Sequence, residues 1–77
     1  MGKLRMILAE VLEVQERALP PDPTMSNTEN WDSYNALVFV SEVEGVFGVK
    51  INTADVLMIK SLADMKAVLE RKGITTD

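Results

Sequence analysis

Apolar residues recur along the first segment at Leu4, Ile7, Leu8, Val11 and Val14, while Glu10, Glu13 and Arg17 fall off that face. Spacings of three and four place the apolar set on one stripe, so a helix is predicted over 3–17. Glu13 and Arg17, four apart, would be neighbours on its outer surface. The pattern breaks at Leu19-Pro20-Pro21-Asp22-Pro23. Proline has no N–H to donate and pushes the residue before it towards extended conformations. The polar stretch 24–29 then makes a loop that is long for a small fold, which more often wraps or functions than merely connects. Trp31, the only tryptophan, is expected to anchor the end of that loop against the core.

A second helix is predicted over 33–47, where Ala36, Leu37, Val40, Val43 and Phe47 form a stripe that Val38, Phe39 and Val46 widen. Its many β-branched residues are poor helix formers, so packing rather than propensity must hold it. Gly45 costs about 1 kcal/mol relative to alanine inside a helix, whereas Gly48 suits the left-handed residue just past a helix end. Val49-Lys50-Ile51 reads as a short extended link with Ile51 turned inward. Asn52 can cap a brief helix over 53–59, and Asp55 favours its positive end. The run Val56-Leu57-Met58-Ile59 is apolar on several sides, which suits a core lid or the flank of a pocket for an apolar ligand. Ser61-Leu62-Ala63-Asp64 has capping-box spacing and opens a last helix over 61–72. Its buried stripe is Leu62, Met65, Val68 and Leu69; Arg71 and Lys72 favour its negative end, Gly73 stops it, and 74–77 reads as a frayed tail.

The pattern therefore predicts an all-α fold: one domain over 1–77, a small bundle of three main helices plus one short helix, with a long first loop. At 77 residues the core is modest, but a 47% hydrophobic fraction is ample for a folded domain.

Charge sharpens the picture. The chain carries a net −4, yet 18–49 contains no Lys or Arg and holds Asp22, Glu29, Asp32, Glu42 and Glu44, so this stretch alone is acidic. Such a surface steers basic partners, and no basic patch for nucleic acid is present. The chain has no Cys and no His, which removes disulfides, thiolate or imidazole zinc sites and the usual Ser-His or Cys-His nucleophile pairs. Catalysis by this chain alone is not expected. No segment approaches the ~20 apolar residues of a membrane span, and Glu10 cuts the first apolar run short of a signal peptide. A cytoplasmic monomer is expected.

The candidate chemistry lies at the corner Asn30-Trp31-Asp32-Ser33-Tyr34-Asn35. With Asp32 as the N-cap, Ser33 becomes the first helical residue and has no capping duty. A phosphate ester on its oxygen would meet free N–H groups and the positive end of the helix dipole. An Asp-Ser pair at a helix start is, by itself, most often only a cap.

This corner, the helix 36–44 after it and the exit Phe47-Gly48-Val49-Lys50-Ile51 resemble the acyl carrier protein family over nearly the whole chain. The resemblance implies that Ser33 receives a covalent 4′-phosphopantetheine arm from a phosphopantetheinyl transferase, with Asp32 as the supporting motif residue. The arm's thiol would then hold acyl intermediates as thioesters for partner enzymes, and so supply the sulfur that the chain lacks. Partners implied are acyl-transfer or synthase enzymes with basic docking patches, met by Tyr34, Glu42 and Glu44. Val38 and Gly45 stand where many members carry acids, and Tyr34 replaces the usual leucine. A specialised lipid pathway is thus as strongly implied as ordinary fatty-acid or polyketide synthesis. The alternatives are a peptidyl or aminoacyl carrier and an unmodified helical interaction module.

Overall fold

A computed structural model describes residues 2–75, and among these the regular elements are helical: α1 (Lys3–Leu12), α2 (Ser33–Phe47), α3 (Thr53–Met58) and α4 (Leu62–Arg71), with one 3-10 turn over Glu16–Ala18. The expected all-α architecture with a long first loop is present. The final two residues of the tail expected over 74–77 lie outside the described residues.

The first helix stops well before residue 17. Glu13 adopts the left-handed conformation at φ 59° and ψ 42°. Its N–H reaches Glu10 O at 3.2 Å while Val14 N–H reaches back to Ala9 O at 3.0 Å. That is the closed double turn with which helices commonly end, here without the usual glycine. Val14 packs on the core as the turn closes. The helical spacing between Glu13 and Arg17 is therefore lost, and Glu16 pairs instead with Arg5, Nε to Oε2 at 3.7 Å.

Arg5 ties the loop to α1. Its guanidinium donates to Pro20 O at 2.8 Å, Glu16 O at 3.2 Å and Leu19 O at 3.3 Å. A planar fork of donors suits this cluster of carbonyls; Glu16 O also accepts Leu19 N–H at 3.1 Å, so it is Pro20 O and Leu19 O that would otherwise have to find water at the turn. Beyond it Pro23 is buried, and Leu62 N–H donates to Pro23 O at 2.9 Å while Met25 N–H donates to Lys60 O at 2.9 Å. These two bonds form the isolated antiparallel bridge between Thr24 and Ser61, which clamps the loop to the start of α4.

The core gathers Leu4, Ile7, Leu8 and Leu12 of α1, Phe39, Val40 and Val43 of α2, and Met65, Val68 and Leu69 of α4. Trp31 is buried as expected and meets Phe39 edge to face, with ring centroids 5.7 Å apart. Its indole Nε1 is buried without a hydrogen-bond partner among the described residues, a cost of about 1–3 kcal/mol that the burial of the ring outweighs.

Two inward expectations are corrected. Leu37 faces outward, and Phe39 occupies the fully buried centre of α2 in its place. The Val56–Ile59 run is not a closed lid either. None of the α3 residues is buried; Val56 packs partway onto the core, Ile59 turns in just after the helix, and Leu57 and Met58 face solvent. At the far end Gly73 is left-handed, and Ile74 N–H bonds Leu69 O at 3.0 Å, so Ile74 packs on the core rather than fraying.

Candidate functional site

The corner at the mouth of α2 is fixed by two side-chain bonds. Asp32 is the N-cap, its Oδ1 accepting from Asn35 N–H at 2.9 Å. Asn35 Nδ2 in turn donates to Asn30 O at 2.7 Å, holding the left-handed Asn30 (φ 71°) against the first turn. Sequence reasoning named Asn35 only as part of the corner; its bond back to the loop depends on the turn at Asn30.

Ser33 is therefore the first residue of α2 and is exposed. Its Oγ makes no hydrogen bond among the described residues, because Asp32 has taken the capping role. The amides of Ser33 and Tyr34 precede the first intrahelical bond and point out of the helix mouth, where they can receive an anionic oxygen. Among the described residues, an oxygen at this place is free to be esterified without loss of any structural contact.

Ser33 also lies on the wall of an open cleft of about 280 Å³. Met25, Ala36, Leu37, Val56, Leu57, Ile59 and Lys60 complete its lining, so the space beside the serine is mainly apolar and bounded by α2 on one side and α3 on the other. A flexible chain tethered at Ser33 has a trough to lie in. Tyr34 stands next to it, 74% exposed.

The two other anticipated contact residues are not at this corner. Helical rise places Glu42 and Glu44 about 14 and 16 Å further along α2. Glu42 is exposed. Glu44 is half-buried, and its Oε2 accepts the N–H of Ile51 at 2.7 Å, so its carboxylate closes the turn between α2 and the following link. That bond is structural, and no local pattern signals it because the partner is a backbone amide brought round by Gly48. Leu37, Leu57 and Met58 are the exposed residues near the serine that the sequence reading did not assign to the site.

The site's geometry agrees with comparison to known proteins. A family model described as "Phosphopantetheine attachment site" matches residues 2–69. The chain is also similar to the acyl carrier protein of Thermotoga maritima, 29% identical over 71 residues that cover 92% of this chain and 88% of that protein. The exposed, unengaged serine at a helix mouth fits the attachment of 4′-phosphopantetheine, the cofactor of that family. This chain belongs to the acyl carrier protein family and is a carrier domain of the phosphopantetheine-attachment type.

Proposed function

We propose that Ser33 is the attachment residue and that the protein carries acyl groups between partner enzymes, without catalysis of its own. One observation carries this reading: Ser33 Oγ is exposed and unbonded at the first position of α2, because Asp32 supplies the cap. In the loading step Ser33 Oγ forms a bond to phosphorus as the pyrophosphate P–O bond of coenzyme A breaks; the nucleotide bisphosphate leaves and the hydroxyl proton passes to a base of the transferase. Once attached, the arm supplies a terminal thiol for thioester linkage, which a chain without cysteine has no other means to offer.

The chain's own residues then hold and present. Asp32 and Asn35 keep the α2 mouth rigid, so the tether point is fixed while the cargo moves. The acidic stretch 18–49 draws partners with basic surfaces towards this side of the molecule, an effect on approach that salt screens. The relative's name supports acyl rather than aminoacyl cargo.

The test is incubation of the protein with coenzyme A and a broad-specificity phosphopantetheinyl transferase, followed by intact mass measurement. Wild type should gain one arm, and Ser33→Ala should gain none while keeping its helical circular dichroism. A wild-type chain that stays unmodified beside a carrier modified in parallel contradicts the proposal.

A further inference from the structure

Six large apolar side chains stand exposed among the described residues, and four of them belong to the end of the molecule that holds Ser33. The other two, Met6 and Val46, are 51 and 47% exposed and line one open groove of about 390 Å³ between α1 and α2. Val46 lies about 20 Å along α2 from the serine, so this groove is a separate surface. Ile7, Ala9 and Val14 form its apolar floor, and its rim is charged in both senses. Lys3 stands at one end, exposed, with its ammonium 5.7 Å from the centroid of the Phe47 ring, a contact that keeps the cation beside the groove. Glu10, also exposed, stands two turns further along α1. Glu16, the remaining acid on the rim, is already paired with Arg5 at 3.7 Å. Lys3, Met6 and Glu10 are spaced three and four apart and so share the outer face of α1.

We infer that this groove pairs with the same groove of a second copy of the chain, as a weak dimer with two-fold symmetry. A two-fold contact has to be complementary to itself, because every residue that meets another is met by it in return. The outer face of α1 satisfies that condition. In an antiparallel pair with the axis between Met6 and Ile7, Lys3 and Glu10 each stand about 5 Å from the axis along the helix, so Lys3 of either copy faces Glu10 of the other. Two opposite-charge pairs then flank a centre where the two Met6 side chains meet, with Val46 of each copy as the outer wall. The order of charges is what selects the occupant. A rim of one sign would call for a partner of the other, whereas a rim that carries both, equally spaced about an apolar centre, is matched by its own reversed copy. Two exposed apolar side chains per copy fall well short of the roughly 800 Å² per partner of a lasting complex, so the dimer is reversible and the monomer expected from the sequence is its dilute form. Ser33 lies at the far end of α2 from the contact, which leaves both serines open.

Sedimentation equilibrium of the full chain from about 0.02 to about 2 mM tests this, at about 150 mM NaCl, where the overall negative charge is screened but pairs in contact are not. Wild type should pass from the 8.5 kDa monomer towards twice that mass, with half the chains paired near about 0.5 mM. Met6→Glu, which sets two carboxylates against each other at the axis, should stay monomeric throughout. Lys3→Glu and Glu10→Lys should each weaken pairing at least about tenfold, since each turns two attractions into two repulsions. An equimolar mixture of these two variants should pair again, because each then supplies the charge that the other lacks. Both remain negative overall, so general attraction does not produce that recovery. Circular dichroism of the three variants should match wild type. A wild type that is monomeric at about 2 mM overturns the inference, as does pairing that Met6→Glu leaves intact, or a mixture that fails to recover what its components lost. Arm loading of Met6→Glu at a rate within about twofold of wild type is expected; a larger loss would give the groove to the transferase and also overturn the inference. Failure of wild type to accept an arm would remove the carrier reading and leave the sedimentation result standing.

Discussion

Two helices of similar apolar content use it in opposite ways. In α4 the apolar stripe goes inward, with Met65 and Leu69 fully buried and Val68 nearly so. In α3, a six-residue helix, none is buried, and Leu57 and Met58 stand in solvent. The difference follows from what lies opposite each element. α4 faces the side chains of α1 and α2, while α3 roofs the cleft beside Ser33 and has only Val56 and the following Ile59 turned towards the core. The bundle is thus a firm support made of α1, α2 and α4, with a lightly attached apolar flank at the serine. Stability rests on the apolar residues of the support and not on those of the flank, and substitutions should separate them.

The largest expected contrast is between Phe39 and Leu57. Phe39→Ala should lower unfolding free energy by about 3–5 kcal/mol, enough to leave so small a domain largely unfolded, whereas Leu57→Ala should change it by no more than about 0.5 kcal/mol. Urea denaturation followed by circular dichroism reads both. Equal losses at the two positions would break the distinction between support and flank.

Next in size is Arg5, which supports the loop leading to the site. Arg5→Ala should cost about 2 kcal/mol in the same assay, since several charge-assisted bonds to carbonyls are lost at once. Arg5→Lys should recover only part of this, because an ammonium lacks the planar fork. Full recovery by lysine would mean that charge rather than geometry matters there.

The smallest pair tests the helix ends of the support. Gly48 is left-handed at φ 67° with open space around the position of a Cβ, so Gly48→Ala should cost about 1 kcal/mol from backbone strain alone. Glu13 holds the same conformation without glycine's freedom, so Glu13→Gly should raise stability by up to about 1 kcal/mol. Thermal melts would show shifts of opposite sign.

What the sequence revealed, and what it hid, follow the same physical lines. Asp32, Asn52 and Ser61 were legible as N-caps because each carries the side-chain oxygen that its helix needs, and each accepts the expected amide. Gly48 marked the end of α2 for the corresponding reason. The end of α1 was hidden because Glu13 takes a conformation that glycine usually announces. The facing of Leu37 was hidden because Ala36 to Val40 is apolar throughout, so periodicity offers no contrast between inside and outside. Arg5 and Glu44 bind backbone groups brought near by folding, fifteen and seven residues away, and no local pattern records such bonds. At the site, the serine and its cap were readable, and the Val56–Ile59 run was already suited to flank an apolar pocket; that it does so beside Ser33 required the fold.

The most direct check on the role of Ser33 is fragmentation mass spectrometry of the loaded protein after trypsin. Because 18–49 has no Lys or Arg, one peptide spans 18–50 and contains Ser26, Ser33 and Ser41 together, so their fragments compete within a single spectrum. The arm should appear on Ser33 alone. Its appearance on Ser26 or Ser41, or its absence from the peptide, would contradict the account.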